Sequence, residues 1–375
     1  MGTPYRTIAT LALVALAVAA TAVVATAATE HRAGREPKLQ QALDRLIAAG
    51  VPGAIALVRE GDHTVALTSG YGNRKPRTPM RPADRFRIAS LTKSFVATVV
   101  LQLVGEGKLA LDDSVERRLP GLVPNGRAIT LRRLLNMTSG LFDYLEDGDP
   151  RVLKPYLDGN FSYSWKPRQL VEIAVSHKPE FAPGAGWSYC NTCYVLLGLI
   201  VEKATGHSLA SELRRRIFAP LRLRDTTFDT TPLIAGPHAH AYEQVGNQLQ
   251  DVSRVSPSFG WAAGAIVSTA DEVARFYRAL LSGRLLDSGM LRAMETTVSA
   301  SELGADIQYG LGLARVPLPC GAAWGHQGGT AGYQAWALNS KDGTRQIVVL
   351  ANRDSSISKQ AERALDRLLA TAYCS

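Results

Sequence analysis

At 375 residues, 46% of them hydrophobic, and with a formal charge of +9, the chain can bury a large core, as one two-part domain or as two to three domains. The charge points to acidic partners such as cell-wall polymers or anionic membrane surfaces. It does not point to nucleic acid, because no Lys/Arg run exceeds Arg214–Arg216 and no recognition motif is present.

Residues 1–28 read as an export signal: Arg6 supplies the positive start, Ile8 to Val24 the apolar stretch, and Ala25-Thr-Ala27 a small-x-small cleavage site. Arg6 is the only charge before Glu30, so cleavage takes the charge from +9 to +8. The competing reading is an uncleaved anchor, since Ile8 to Ala28 approaches spanning length. Richness in Ala and Thr favours cleavage, hence a secreted or extracytoplasmic protein that meets a membrane only if the leader is kept.

Lys38 to Ala49 reads as a helix ended by Gly50. Two strand-like runs, Ala54 to Arg59 and His63 to Ser69, follow as a hairpin joined at Glu60-Gly-Asp62. Next comes Phe86 to Val104, apolar on nearly every face after Ser90, as in a helix buried inside a protein. Helical patterns continue at Leu131 to Met137, Pro167 to Ser176, Tyr194 to Ala204 and Leu209 to Phe218. Ala265 to Val267 reads as a strand before a helix at Asp271 to Leu281. Tyr309 to Val316, Ala322 to Gly325, Gly332 to Leu338 and Gln346 to Ala351 read as strands, with a turn at Asn339 to Gly343 and a closing helix from Lys359 to Ala372. The order predicts an α+β fold. Residues 37–78 and 262–375 form an antiparallel sheet flanked by helices, and 79–261 form an inserted, mostly helical part. Together they make one catalytic domain with its site at the seam.

Ser90 and Lys93 stand three residues apart at the head of the buried helix, so their side chains can meet. A lysine there is costly without a partner or a task. Desolvation lowers its pKa, and such an amine can take a proton from a serine. The helix start adds N–H groups suited to an oxyanion. Ser-x-x-Lys arises by chance about once in a chain of this length, and Ser356-x-x-Lys359 is a second instance, where Ser356 reads as an ordinary cap.

Tyr189-Cys-Asn191 follows a Gly/Pro loop. The phenol could carry a proton and the carboxamide could bind a substrate amide, although two loop residues in a turn explain the pattern equally. His326-Gln327-Gly328-Gly329 ends a short strand, where the glycines let a substrate backbone approach. The seven histidines show no metal-ligand spacing, so no metal or other cofactor is expected.

The order Ser-x-x-Lys, Tyr-x-Asn, His-x-Gly resembles the penicillin-recognising serine hydrolases: D,D-peptidases, class C β-lactamases and related esterases. Within them the chain is most similar to the secreted D-alanyl-D-alanine carboxypeptidase of actinomycetes. The resemblance runs from about Lys38 to Cys374 and includes Leu101 to Leu109, Ser139-Gly-Leu141 and Tyr309 to Leu313. It implies a β-lactamase/transpeptidase-like fold, with Ser90 as the acylated nucleophile. Lys93 and Tyr189 would share its proton, either one serving as base, and His326 would line the site. Asn191 would hold the acyl-side amide, Gln327, Gly328 and Gly329 would line the substrate strand, and the N–H groups of Ser90 and Gly329 would form an oxyanion hole.

The family's carboxylate-binding arginine and threonines correspond here to Ala314, Gln327 and Gly329, while Arg315 is one residue off and so on the other strand face. The resemblance also implies a Cys320–Cys374 bridge. Cys190 and Cys193 are close enough on a turn to pair, and a redox motif there lacks its usual strand–helix setting. The leading expectation is a cell-envelope serine hydrolase with D-alanyl-D-alanine carboxypeptidase activity on peptidoglycan-type peptides and with β-lactams as covalent inhibitors. The alternatives are an esterase or amidase on small ester or amide substrates, a β-lactamase, or a β-lactam or muropeptide sensor that does not turn over.

Overall fold

The computed structural model describes residues 36–146, 148–353 and 358–374. The expected leader and the cap at Ser356 lie outside them. A nine-stranded, wholly antiparallel sheet organises the molecule. Its order is Thr78–Pro79, His63–Asn73, Gly53–Glu60, Arg345–Ala351, Tyr333–Asn339, Gly321–Thr330, Ala314–Leu318, Gln308–Tyr309 and Val298–Ser299.

Covering both faces explains why the central strands are apolar throughout rather than alternating. In Gly53–Glu60, Ala54, Ala56 and Val58 enter one core while Ile55 and Leu57 enter the other. The first core is sealed by Leu39, Leu43 and Leu46 of helix 36–48 and by Leu365 and Leu368 of helix Lys359–Cys374. The second, larger core holds helix Thr92–Gly105, packed against helix Asn191–Thr205, and helix Ala270–Leu281, which lies on the sheet. Phe95 stacks on Phe276 there. This matches the expected β-lactamase/transpeptidase-like class, with helices on an antiparallel sheet.

The structure departs from the sequence reading in three places that shape the site. The expected strand Tyr309 to Val316 is a hairpin, because the chain reverses at Gly310–Leu313, where the Gly310 N–H donates to the Leu313 carbonyl. Gly312 has φ +80°, and a Cβ there would strike Ala97. The strand expected to stop at Gly325 continues through Thr330, so His326 to Gly329 lie inside it. The helix expected from Tyr194 begins at Asn191, which puts Asn191 on its first turn. The short helices Val115–Arg118, Pro150–Leu157 and Ser288–Glu295 and the hairpin Tyr242–Val245/Gln248–Asp251 were not legible.

Candidate active site

Ser90 lies in a 3₁₀ turn, Ala89–Leu91, that runs into helix Thr92–Gly105. Residues i and i+3 eclipse in such a turn, and Lys93 Nζ donates to Ser90 Oγ at 2.9 Å. Ala89 is held at φ +48°, a strained conformation for a residue with a Cβ. The strand Gly321–Thr330 crosses this turn closely: a Cβ on Gly328 would sit 2.7 Å from the Ser90 nitrogen. Glycine at 328 is therefore what lets strand and nucleophile turn touch.

Lys93 is wholly buried. Besides Ser90 it donates to Asn191 Oδ1 at 2.7 Å and to the Ala263 carbonyl at 3.0 Å. All three acceptors are neutral. Burial lowers its pKa to about 7, against the raising influence of the Asp143 and Glu146 carboxylates. The amine is thus poised to exchange a proton near neutrality.

Tyr189 lines the cleft with Ser90, and its ring centroid lies 4.8 Å from Lys93 Nζ. Burial pushes the phenol well above its ordinary pKa, so it is protonated where the lysine is half-protonated. Asn191 sits beneath the cleft and not in its lining. Its Oδ1 faces Lys93, and its Nδ2 donates to Asp143 Oδ1 at 3.2 Å. His326 is buried in strand Gly321–Thr330 with both ring nitrogens engaged, Nε2 with the Tyr309 hydroxyl at 2.9 Å and Nδ1 with the Gln327 carbonyl. A carbonyl only accepts, so Nδ1 carries the proton and Nε2 accepts from Tyr309. Burial, then the nearby Lys93 charge, lowers its pKa to about 3 and keeps the imidazole neutral.

Sequence reasoning missed Asp143. Its buried carboxylate accepts the Asn191 N–H, the Thr192 N–H at 3.2 Å and the Leu145 and Glu146 N–H groups at 2.8 Å. It caps helix Asn191–Thr205 and orients Asn191 at once. The only local sign was an Asp shortly after Ser139-Gly, in a loop. The Ala263 carbonyl left no sequence signal.

Ser90, Tyr189, His326, Gln327, Gly328 and Gly329 open onto one cleft of about 1500 Å³. Ala314 also lines it and Arg315 does not. In a chain of net charge +9, the lining carries Glu146, Glu243 and Glu302, with Asp366 farther round on helix Lys359–Cys374 of the opposite sheet face, and, among the described residues, no Lys or Arg. The two cysteine pairs are disulfides, Cys190–Cys193 and Cys320–Cys374.

Comparison with known proteins agrees with this fold. The family described as Beta-lactamase matches residues 38–372. A D-stereospecific amidohydrolase from Streptomyces sp. superposes with TM-score 0.82 at 39% identity, covering 90% of this chain and 98% of that one. A D-amino acid amidase from Ochrobactrum anthropi superposes with TM-score 0.79 at 30% identity, covering 89% and 97%. Penicillin-binding protein 4* of Bacillus subtilis is 27% identical over 341 residues, 84% of this chain and 72% of that protein. On these grounds the chain belongs to the β-lactamase family of serine hydrolases.

Proposed function

We propose that this hydrolase cleaves amides or esters of D-amino acids that bear a free ammonium group, through an acyl-enzyme on Ser90. The observation that carries the reading is the charge of the cleft, with Glu146, Glu243 and Glu302 and no cation among the described lining residues. A substrate with a terminal carboxylate finds no charged donor there, while an ammonium finds acceptors. The amidohydrolase and amidase neighbours support the same class.

In this mechanism neutral Lys93 takes the Ser90 proton as Oγ bonds to the substrate carbonyl carbon. The oxyanion is held by the N–H groups of Ser90 and Gly329. Tyr189 passes a proton to the departing amine or alcohol as its bond to carbon breaks, and is reprotonated from Lys93. Water then attacks the ester and Ser90 regains its proton by the reverse route. Asn191 and Asp143 hold the lysine in place, and His326 supports the strand from below. We place this activity outside the cytoplasm, a reading supported by the sequence of residues 1–28 and by two disulfides. Fractionation of the native host that recovers the protein only in the cytoplasm would refute that placement.

One plate of substrates tests the specificity: a D-amino acid amide, its N-acetyl derivative and a D-alanyl-D-alanine peptide acid. A charge-assisted contact contributes about 1.5–3 kcal/mol, so acetylation should lower kcat/KM by about tenfold or more. The peptide acid and its methyl ester should differ by less than about tenfold. A strong preference for the free acid would instead establish the carboxypeptidase reading.

A further inference from the structure

Cys190 stands between Tyr189, which lines the cleft with Ser90 and lies over Lys93, and Asn191, which accepts from Lys93 beneath it. Its sulfur is bonded to Cys193, one turn along the same helix. We propose that the Cys190–Cys193 bridge is a positioning element of the acyl-transfer site: it pins the turn from which Tyr189 and Asn191 diverge, so that turnover depends on its being oxidised. This rests on the Ser90 acyl-enzyme reading and adds to it a pair of residues that touch neither substrate nor nucleophile.

Three observations carry it. The first is the cap. Where this chain caps a helix elsewhere with a side chain, it uses oxygen, as at Ser114, Thr130, Asp149, Ser208, Thr269 and Asp287. At Cys190 the acceptor of the Cys193 N–H, at 3.0 Å, is a sulfur. The Asp143 carboxylate takes the Asn191 and Thr192 N–H groups, and sulfur accepts weakly, so it is the covalent tie that fixes Cys190 itself to the first turn.

The second is packing. Cys190 and Cys193 are buried in the main core, whereas Cys320 is exposed. Two thiols need van der Waals separation where a bridge needs a bond, and a buried site can supply the room only by moving backbone. The backbone that would move carries Tyr189 and Asn191.

The third is connection. The Ser139 hydroxyl lies 3.0 Å from Cys193 Sγ, which as a disulfide sulfur has no proton, so Ser139 donates. Ser139 Oγ also accepts the Leu141 N–H at 3.2 Å. That segment leads directly to Asp143, which grips the Asn191 and Thr192 N–H groups. The bridge thus ties together the two segments that set the Asn191 carboxamide.

The test is the double variant Cys190→Ser/Cys193→Ala, which keeps a cap oxygen and removes the tie together with the sulfur that Ser139 meets. Misplacement on the scale of an ångström costs about 10²-fold in rate. We expect kcat to fall about 10- to 100-fold with KM within about threefold. The acid limb of the pH–rate profile should move to lower pH, because Lys93 loses part of the hold of Asn191 and Asp143 on its protonated form. Cys320→Ser/Cys374→Ser is the control: its melting temperature should fall while kcat stays within about twofold.

Stepwise reduction of the native enzyme by a phosphine avoids any folding failure. Each bridge plus phosphine and water gives two thiols and the phosphine oxide. Activity should survive loss of the exposed Cys320–Cys374 bridge and fall with loss of Cys190–Cys193, as followed by alkylation and mass spectrometry. Wild-type kcat and pH profile in the Cys190→Ser/Cys193→Ala variant, or activity that persists after both bridges are reduced, would overturn the proposal. A Ser90→Ala enzyme that still turns over would instead refute the acyl-enzyme reading on which it rests.

Discussion

Two buried cations sit near the two ends of the long central helices, and the chain treats them in opposite ways. Arg216, 6% exposed, is gripped by carboxylates: Nε donates to Glu212 at 2.6 Å and Nη2 to Glu106 at 3.0 Å. Those hydrogen bonds raise its pKa, Glu106 first, and that of Glu106 falls to about 2. Lys93 is more deeply buried, and its three hydrogen-bond partners are neutral. Its pKa falls to about 7. Full ionic pairing makes a buried charge permanent, while neutral acceptors with carboxylates farther off leave its proton negotiable. The first arrangement holds a helix in place and the second suits proton transfer.

Changes at Lys93 and its serine should therefore affect turnover far more than folding. Ser90→Ala and Lys93→Ala should each lower kcat by roughly 10⁴-fold or more. A fluorescent penicillin should label Ser90 in the wild type and nothing in Ser90→Ala. An adduct on another residue, found by mass spectrometry, would break the assignment.

Tyr189→Phe removes one hydroxyl and should cut kcat by roughly 10²- to 10⁴-fold, the usual size of an acid–base contribution. A near-normal rate, measured with a poor leaving group, would mean that Lys93 acts alone.

Arg216→Leu should do the reverse. It removes a partner from Glu212, whose side chain has no exposure. We expect a loss of about 3 kcal/mol in denaturant unfolding, at the low end for a broken buried pair because Arg215 still reaches Glu212. The kcat of the folded fraction should be unchanged, and a selective loss of kcat would erase the contrast between the two cations.

The smallest expected effect is the pH response. If Lys93 acts as base, kcat/KM should rise through about pH 7. Asp143→Asn removes a charge that raises that pKa, so the limb should shift to lower pH. Stability should follow the same group. Between about pH 7 and the ordinary lysine range, the unfolded chain holds a proton that the folded one has lost, so stability rises with pH across that window. Lys93→Met should flatten that slope, and an equal slope in both proteins would refute the depressed pKa. Glu106 gives the opposite limit: its folded pKa is lowered, so its contribution is present above the ordinary glutamate range and lost as pH falls toward about 2.

Much of this was readable before any coordinates. The contact of Ser90 with Lys93 follows from a three-residue spacing at the head of an apolar helix. The strands Gly53–Glu60 and Arg345–Ala351 and both terminal helices followed from their apolar patterns within one or two residues. The hairpin at Gly310–Leu313 looks in sequence like a continuous strand, and the positive φ of Gly312 and the approach of Ala97 that require glycine there exist only in the fold. Asp143 looked like any loop aspartate.

The division has a physical cause. Period, capping and turn chemistry act between residues a few positions apart, so the sequence by itself determined the sheet strands, the buried helix and the Ser90–Lys93 pair. The state of the lysine proton depends on every dipole and charge within a few ångströms. Asn191 and the Ala263 carbonyl arrive at Lys93 from 98 and 170 residues away. Glu146, Glu243 and Glu302 reach one cleft from three separate segments. Electrostatic energy depends on distance in space and not along the chain, so the poise of Lys93 and the sign of the cleft were decided only when the chain was folded.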